Sequence, residues 1–320
     1  MVKPRARPTR PVRGASPAGV DAERLARRVQ REHPELSFSR AKSFIEEGKV
    51  RVGGEVERDP GAWVPPATAI DLDPGLPRHG GEARVDLVHL DADLVVVAKP
   101  AGLLSVPTTL GEERETLVSR LQKELRRRGG ASFVAVVHRL DRDTSGLLAF
   151  ARNLAAQHAL QEQLLDHSLG RVYDAVVEGD LAAEAGTFDW PLVGDGVRRR
   201  RWVAGAGEEG KWAVTHYRVL ERFGIATLVE VRLETGRTHQ IRIHFSAAGH
   251  PVLGDAVYRP REAEPFPVPV ERLALHAGAL QLRHPRDGRE LRFTAPRPDD
   301  FAALVTRLRA RAGRSIDRSA

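Results

Sequence analysis

The sequence predicts a chain of the α+β class, with a mixed, largely antiparallel central sheet, flanking helices and a smaller α+β module before it. Strand-like segments outnumber helical ones, and tight turns such as Gly53-Gly54 and Asp287-Gly288 favour hairpins between neighbouring strands. Strands and helices do not alternate regularly, as they would in a doubly wound sheet. A length of 320 residues with 41% hydrophobic content is enough for one large or two unequal domains with a buried core.

The small module is predicted over residues 19–73. Two amphipathic segments predict short helices, the first stopped by a proline and the second capped by a serine and ended by a glycine. Alternating residues around a Gly-Gly turn then predict a hairpin. The residues behind these predictions are Val20, Leu25, Val29 and Pro34 for the first helix, Ser39, Ala41, Phe44, Ile45 and Gly48 for the second, and 49–52 with 55–56 for the hairpin strands.

A Pro- and Gly-rich linker is predicted over residues 74–84, and the large domain follows over residues 85–300. Apolar periodicity and turn residues define the elements of this domain. In chain order we predict two strands within 85–98, a basic helix at 116–128, strands at 133–137 and 147–151, a helix from Asn153 to Leu169, a strand at 171–179, antiparallel strands within 213–237, a short helix at 238–249, a hairpin within 273–296 and a last helix capped by Asp299.

The net charge of +7 is concentrated at the two ends of the chain. Residues 1–18 carry +5 and four prolines and are predicted to be a disordered basic arm, while residues 301–320, a C-terminal helix and basic tail, carry +4. This leaves −2 for residues 19–300, so a surface there that binds a polyanion has to be a local patch. For the two ends, a solubilising role and a phosphate-binding role are equal alternatives.

Composition excludes several classes of chemistry. The chain has no cysteine, which rules out disulfides, thiolate nucleophiles, Fe–S clusters and cysteine zinc sites. It has no apolar run of about 18 residues and no signal-peptide pattern, so we expect a cytoplasmic protein without a membrane span. The reactive groups must therefore be acidic, histidine, lysine, hydroxyl or phenol side chains.

The histidines and glycines do not predict a metal site or a phosphate loop. His239 and His244 are five residues apart, which separates them by about 140° on a helix, so they cannot easily share an ion. We expect His244 and His276 to be packed, hydrogen-bonded structural residues. Segments 194–201 and 207–212 lack the spacing of a phosphate loop and are predicted to be hairpin tips, with an RNA contact as the alternative for the arginines at 198–201.

Asp141, within "VVHRLDRDTSGLLAFAR" (136–152), is the strongest catalytic candidate. The alternative is a turn residue, because an aspartate before Thr-Ser-Gly is favourable turn chemistry. However, Arg139 and Arg142 flank it, and "LETGR" supplies Arg237 at the start of a short helix whose apolar pattern requires no arginine. Nearby guanidinium groups keep a carboxylate ionised and oriented, which prepares it to attack a carbon atom or accept a proton.

Five blocks in order resemble the pseudouridine synthases of the RluA type, in the branch that modifies ribosomal RNA. The resemblance implies the pseudouridine synthase fold. Residues 20–73 resemble an S4 RNA-binding module through "SRAKSFIEEGKVRV". The five blocks are "DADLVVVAKPAGLLSVP" (91–107), "HRLDRDTSGLLAFAR" (138–152), "RVYDAVVEG" (171–179), "LETGRTHQIRIHFSAAGHPVLGDAVY" (233–258) and "LALHAGALQLRHP" (273–285).

The resemblance implies a reaction that breaks the C–N glycosidic bond of a uridine, turns the base over and rejoins it through C5, without cofactor or metal. Asp141 matches the catalytic aspartate, which either attacks C1′ of the ribose or removes the C2′ proton. Tyr173 matches the tyrosine packed on the target base, and Arg237 matches the arginine that forms a salt bridge with the catalytic carboxylate. Arg139 matches the side chain that fills the place of the extruded nucleotide, and we assign the adjacent His138 to RNA binding with it.

Two positions depart from the family pattern. Arg171 stands where a lysine usually begins the Lys-x-Tyr strand, which keeps the charge. Ser105 stands where valine or a similar apolar residue is common, and the sequence offers no reason for this change.

The resemblance also indicates the partner. In the S4-like module, Arg40, Lys42, Lys49 and Arg51 are expected to form the local basic patch and to bind the RNA backbone. We therefore expect a monomeric enzyme that isomerises uridines in 23S (large-subunit) rRNA. The alternatives are the same chemistry on tRNA, or a catalytically idle RNA-binding protein of ribosome assembly with the same fold.

Overall fold

The computed structural model describes residues 23–57, 59–73, 85–107, 115–194, 201–260 and 263–317. The chain divides into two compact units, Met1–Ala83 and Arg84–Ala320. The predicted basic arm, the predicted linker and the arginines at 198–200 lie outside the described residues.

In its described residues, 23–57 and 59–73, the first unit contains two helices and two small sheets. The apolar stripes predicted for the helices, including Leu25, Val29 and Ile45, are buried in one cluster. Its helices are α1 (Leu25–Glu32) and α2 (Phe38–Glu46); in its sheets β1 (Glu23–Arg24) pairs with β4 (Trp63–Val64), and β2 (Val50–Val52) lies between β3 (Glu55–Val56) and β5 (Ile70–Leu72).

The predicted N-cap of α2 is wrong by two residues. The helix is capped by Ser37, whose hydroxyl oxygen accepts a hydrogen bond from the Arg40 N–H at 3.2 Å. Ser39 lies inside the first turn and cannot cap it, because a capping side chain must precede the N–H that it satisfies by two or three residues.

The second unit is built on one ten-stranded sheet, and a separate two-stranded pair joins β12 (Leu192–Gly194) to β13 (Arg201–Val203). The strands of the large sheet are β6 (Asp86–Leu90), β7 (Leu94–Lys99), β8 (Ala135–Val136), β9 (Ser145–Ala151), β10 (Gly170–Glu178), β11 (Ala185–Asp189), β14 (Val214–Arg222), β15 (Ala226–Leu233), β16 (Leu275–Arg283) and β17 (Glu290–Thr294). Their order is β11-β14-β15-β10-β16-β9-β7-β6, with β17 paired to β16 and β8 paired to β9. All these pairs are antiparallel except β9 with β16, which confirms the predicted α+β class and mixed sheet.

The described residues of this unit form the helices α3 (Leu117–Arg127), α4 (Leu154–Leu165), α5 (Gln240–Ala247) and α6 (Asp299–Asp317). The predicted end of α4 at Leu169 is wrong. The chain leaves the helix at Asp166, His167 adopts a left-handed conformation with φ of 61°, and Gly170 already starts β10. None of the helices in the described part of the chain is long and apolar enough to cross a membrane.

The apolar core lies on both faces of the sheet. One cluster joins α4 to Leu147 and Ala149 of β9, and the other joins α3, α5 and α6 to Leu148 and Phe150 of the same strand. Every residue of β9 is buried. This burial fixes the strand that directly follows the loop of Asp141.

His244 and His276 are structural, as predicted. In His244, Nδ1 lies 2.9 Å from the Thr215 hydroxyl and Nε2 lies 3.0 Å from the Trp190 carbonyl oxygen. In His276, Nδ1 lies 2.9 Å from the Ser145 hydroxyl. Burial lowers the pKa of both imidazoles, so both rings are kept neutral inside the fold.

Candidate active site

Asp141 lies in the loop between β8 and β9, and the backbone is held on both sides of it. The Ser105 hydroxyl donates to the Leu140 carbonyl oxygen at 2.8 Å and accepts from the Leu140 N–H at 3.2 Å. The Lys99 ammonium donates to the Arg142 carbonyl oxygen at 2.8 Å. Ser105 and Lys99 are both 2% exposed, so these bonds are shielded from water. The position of the carboxylate is therefore set by its two neighbours.

Neither of these contacts was predicted from the sequence. Ser105 is now explained, because a valine in its place would leave both polar groups of Leu140 without this partner. The available signal for Lys99 was its place at the end of an apolar strand, where a buried ammonium needs acceptors. Burial lowers the pKa of Lys99 to about 7, against the attraction of the Asp143 and Asp141 carboxylates.

The carboxylate of Asp141 is ion-paired with Arg242. Nη1 of Arg242 donates to Oδ2 of Asp141 at 3.0 Å, while Nε and Nη2 donate to the two carboxylate oxygens of Asp255 at 2.6 and 2.9 Å. The Asp255 side chain is fully buried and also accepts the backbone N–H groups of Val257 and Tyr258. Burial alone would lower the pKa of Arg242, but the two carboxylates outweigh it and raise the pKa. The guanidinium is thus charged, and its position is fixed by Asp255.

From the sequence we expected this ion pair at Arg237, and that expectation is wrong. Arg237 is exposed, and its Nε donates to the Trp212 carbonyl oxygen at 2.9 Å. Arg242 lies one and a half turns later on the buried face of α5, between Ile241 and Ile243. A charged residue inside an apolar stripe was the missed signal, because a buried cation requires an anionic partner.

The arginines beside Asp141 in the sequence do not bind it. Arg142 pairs with Asp143 at 3.1 Å, and Arg139 is exposed and lines the cavity described below. The sequence-based expectation that both flanking arginines bind the Asp141 carboxylate is therefore wrong.

His239, immediately before α5, is a second unpredicted neighbour of Asp141. Its Nε2 lies 3.8 Å from Oδ1 of the aspartate, and its Nδ1 lies 2.8 Å from the hydroxyl oxygen of Tyr258. The residue adopts a left-handed backbone conformation with φ of 60°, which is unfavourable for a non-glycine residue. Such strain is retained where it orients a functional side chain.

Asp141 and Tyr173 line one cavity of about 630 Å³, a volume that accommodates a nucleoside. Tyr173 is 6% exposed, and burial raises the pKa of its phenol, so the hydroxyl stays protonated. The register between β10 and β16 shifts between Val172 and Asp174, that is, at this tyrosine. Irregularities of this kind redirect side chains at functional sites.

The cavity wall is strongly cationic. Among the described residues that line it, Asp141 supplies the only carboxylate, and His138 lies on the same wall. The four arginines of the wall are Arg139, Arg171, Arg237 and Arg242. An anionic ligand is favoured at such a surface.

The predicted basic patch of the first unit is only partly exposed. Arg40 and Lys42 are exposed, with their charged groups over the rings of Phe44 and Phe38 at 4.5 and 4.8 Å. Arg51 is partly exposed. Lys49 is 8% exposed, so its prediction as part of an exposed patch is wrong. It follows the turn after α2, and its ammonium lies 5.2 Å from the centre of the Phe44 ring.

One group of side chains outside the cavity has the spacing of metal ligands. Ligand atoms of Asp91, Asp93 and His284 lie within 4.8 Å of one another. Both carboxylates are already engaged, since Asp93 pairs with Arg286 at 2.6 Å and Oδ1 of Asp91 accepts two backbone N–H groups. The observed bonds therefore describe a structural network.

Comparisons with known proteins agree with this geometry. The chain matches the family described as RNA pseudouridylate synthase over residues 93–247. It is 37% identical over 300 residues to "Uncharacterized RNA pseudouridine synthase YlyB" of Bacillus subtilis, covering 90% of this chain and 95% of that protein. It is 36% identical over 307 residues to "Ribosomal large subunit pseudouridine synthase D" of Pseudomonas aeruginosa, covering 92% and 94%. The solved structure of human RNA pseudouridylate synthase domain containing 4 is similar with a TM-score of 0.58 and 26% identity, covering 70% of this chain and 93% of that one. The chain belongs to the RNA pseudouridine synthase family.

Proposed function

We propose that the protein converts specific uridines of 23S rRNA to pseudouridine, acting as a cytoplasmic monomer without a cofactor. The observation that carries the proposal is the Asp141 carboxylate, held by Arg242 in a nucleoside-sized cavity beside Tyr173. The choice of ribosomal RNA is supported by relatives at 36% and 38% identity that are named ribosomal large subunit pseudouridine synthase D.

The arrangement leaves one oxygen of Asp141 available for chemistry. Oδ2 is bound to Arg242, whereas Oδ1 accepts no hydrogen bond from a described residue and lies 3.8 Å from Nε2 of His239. An ionised carboxylate in this position can attack C1′ of the ribose or remove the C2′ proton. Both routes break the C1′–N1 bond, rejoin the base through C5 and release the C5 hydrogen.

The target base must leave its stack to reach this carboxylate. We assign Arg139, exposed on the cavity wall, to the place vacated by the nucleotide, and Tyr173 to packing on the base. His138 and Arg237, on the same wall, are assigned to contacts with the RNA around the flipped nucleotide. These roles are supported by the cationic wall and by the aromatic ring inside it.

The first unit is proposed to bind the RNA backbone as an S4-like module. Arg40, Lys42 and Arg51 are the exposed or partly exposed cations that support this role. Contacts of this kind position a protein on RNA and depend strongly on salt.

The function is tested by release of tritium from RNA labelled at uridine C5, because isomerisation must expel that hydrogen. Wild type is expected to release tritium from 23S rRNA transcripts, and Asp141→Asn to lower the rate at least about 1000-fold. Glu184→Gln is the control, since this carboxylate is 78% exposed, lies outside the cavity and pairs with Arg222; it is expected to keep the wild-type rate.

Each contrary result has its own meaning. Release that persists in Asp141→Asn would remove the mechanism. No release from any RNA would favour an idle binding protein, and release from tRNA alone would change the substrate. Mapping pseudouridines in 23S rRNA from cells that lack the gene is expected to show specific missing positions.

A further inference from the structure

Among the residues that the structure describes, Arg171 has no carboxylate partner although it is a buried cation. It is 8% exposed and lines the cavity of Asp141 and Tyr173. Its Nη2 donates to the Glu234 carbonyl oxygen at 3.2 Å, while its buried Nε has no hydrogen-bond partner among the described residues. No carboxylate in the described part of the chain lies within 4.0 Å of this guanidinium. Because arginine remains protonated in proteins, a positive charge is left uncompensated inside the fold.

The other buried arginine of the cavity, Arg242, does have carboxylate partners. Arg242 has two carboxylates, and its three donor nitrogens all make hydrogen bonds. An unpaired buried charge is strongly destabilising. Arg171 therefore destabilises the fold until an anion binds beside it. We infer that this anion arrives with the substrate.

His138 supplies a second unused donor on the same wall. Its Nε2 accepts the Ala149 N–H at 3.2 Å, which places the proton of the neutral ring on Nδ1. Nδ1 is buried and has no partner among the residues described. Burial and the charge of Arg171 lower the pKa of His138 to about 3, so the ring stays neutral and its Nδ1–H remains an available donor.

Two further features determine the position of the Arg171 guanidinium. Arg171 and Tyr173 are two residues apart on β10, so their side chains lie on the same face of the sheet. Gly236 leaves room for the guanidinium, because a Cβ at this position would overlap with Nη1 of Arg171. An alanine at this position would therefore displace the guanidinium.

We propose that Arg171, with the Nδ1–H of His138, binds the carbonyl oxygens of the uracil after its glycosidic bond has broken and stabilises the negative charge on the detached base. This inference rests on the proposed function. It assigns to Arg171 a direct contact with the reacting base.

The chemistry requires such a partner in both possible routes. When C1′–N1 breaks, its electron pair stays on N1 and spreads to O2 and O4 of the uracil. In one route Asp141 forms a bond to C1′, and this bond breaks when C5 attacks that carbon. In the other route Asp141 takes the C2′ proton, the C2′–H electron pair forms a C1′=C2′ double bond, and the proton returns to C2′ when C5 attacks C1′. The same electron pair then forms the C5–C1′ bond, the C5 proton leaves to water and N1 gains a proton. A fixed cation binds the anionic base more tightly than neutral uracil, and so accelerates the cleavage.

A phosphate group is a poorer candidate for this site. The phosphates of a flipped nucleotide stay connected to neighbours outside the cavity, so the exposed arginines of the wall, Arg139 and Arg237, are the cations accessible to them. Only the base and ribose enter the pocket in base flipping. A cation as buried as Arg171 is therefore placed for the base.

The test is single-turnover tritium release at saturating RNA, combined with RNA affinity and thermal unfolding. Arg171→Met is expected to lower the rate about 100- to 1000-fold, to leave Kd for RNA within about threefold, and to leave Tm unchanged or raised because an unpaired buried charge is removed. Arg171→Lys, which keeps the charge, is expected to recover at least about tenfold of the lost rate. Arg232→Met, at a site 67% exposed on the adjacent strand β15, is the control and is expected to behave as wild type.

Other outcomes overturn the inference without touching the proposed function, provided that wild type releases tritium. A wild-type rate in Arg171→Met would refute it, and so would a higher Kd with an unchanged rate, which would indicate phosphate binding. A lower Tm together with the lost rate would indicate a structural role.

If Arg171→Met does not fold, Gly236→Ala displaces the guanidinium without removing its charge, and a wild-type rate there would also refute the inference. His138→Phe is expected to lower the rate about tenfold, and no change would remove His138 from the site.

Discussion

At the scale of single residues, the site depends on an arginine that binds two carboxylates at once. Arg242 uses Nε and Nη2 for the buried Asp255, which leaves Nη1 for Asp141. The ring of Tyr258 lies 5.1 Å from its guanidinium carbon and adds a cation–π contact. This geometry needs a planar group whose donors point in several fixed directions, and the single ammonium of lysine does not provide one.

We therefore expect Arg242→Lys to lower the rate of tritium release about 100-fold and to lower the free energy of unfolding by about 3 kcal/mol. An ammonium cannot bind both carboxylate oxygens of Asp255 and reach Asp141 at the same time. The matched control is Arg272→Lys, because Arg272 binds both carboxylate oxygens of Asp300 at 2.5 and 2.7 Å outside the cavity.

Arg272→Lys should lose stability by a similar mechanism but keep the rate. If the two variants lost the same fraction of activity, the effect of Arg242 would be one of stability alone. Urea unfolding and single-turnover release on the same samples separate the two quantities.

At the scale of elements, the strand after Asp141 is fixed by a close approach of two backbones. β9 pairs in parallel with β16, which brings Gly146 opposite Ala277. Gly146 has φ of 115°, and a Cβ on it would overlap with the backbone of Ala277. This position requires glycine for both reasons.

Gly146→Ala is expected to lower the free energy of unfolding by about 2 to 4 kcal/mol, through a strained φ and a backbone clash. Gly288→Ala is the matched control, since Gly288 also has positive φ, 72°, but no atom within 4 Å of an added Cβ. Its cost should be about 1 to 2 kcal/mol, from the backbone conformation alone. Equal losses in urea unfolding would show that the contact with β16 contributes nothing.

At the scale of the whole molecule, buried histidines that stay neutral couple stability to pH. The pKa values of His138, His244 and His276 lie below their ordinary value of 6.5, chiefly because of burial. Below pH 6.5 the unfolded chain takes up protons that the folded chain refuses, so stability falls as pH falls. Each histidine that stays neutral contributes about 1.4 kcal/mol per pH unit to this loss, and for His138 the loss continues to about pH 3.

We expect the urea midpoint to fall between pH 7 and pH 5, and His138→Phe to flatten this dependence. Carboxylates with lowered pKa, such as Asp255, act only below about pH 4 and do not enter this window. A midpoint that stays constant from pH 7 to pH 5 would contradict the neutral state of these rings.

The basic patch of the first unit is also a whole-molecule property, because it acts on binding and not on chemistry. Arg40→Gln with Lys42→Gln is expected to weaken RNA binding and to lower the slope of log K against log salt by about 1 to 2. The matched control is Lys123→Gln with Arg126→Gln, two exposed cations on α3. Both double variants should release tritium at the wild-type rate when RNA is saturating. If the slope of log K against log salt is unchanged in Arg40→Gln with Lys42→Gln, the proposed role of the patch is refuted.

The sequence by itself determined the fold class, the existence of most elements, and Asp141 as the central residue of the site. These depend on local features. Hydrophobic periods, the Gly-Gly and Asp-Gly turns and the "HRLDRDTSG" segment act within a few residues of themselves, so they can be recognised without tertiary contacts. Exact helix ends were less accessible, as the cap of α2 at Ser37 and the early end of α4 show.

Only the tertiary structure decided which side chains meet Asp141. Arg242 replaces Arg237 because α5 turns one face toward the loop, and the face is chosen by packing against the sheet. Ser105 and Lys99 reach the loop across 35 and 43 residues, and the burial of Arg171 depends on Gly236 in another segment. Long-range contacts of this kind follow from how whole elements pack, and a linear pattern carries no measure of that packing.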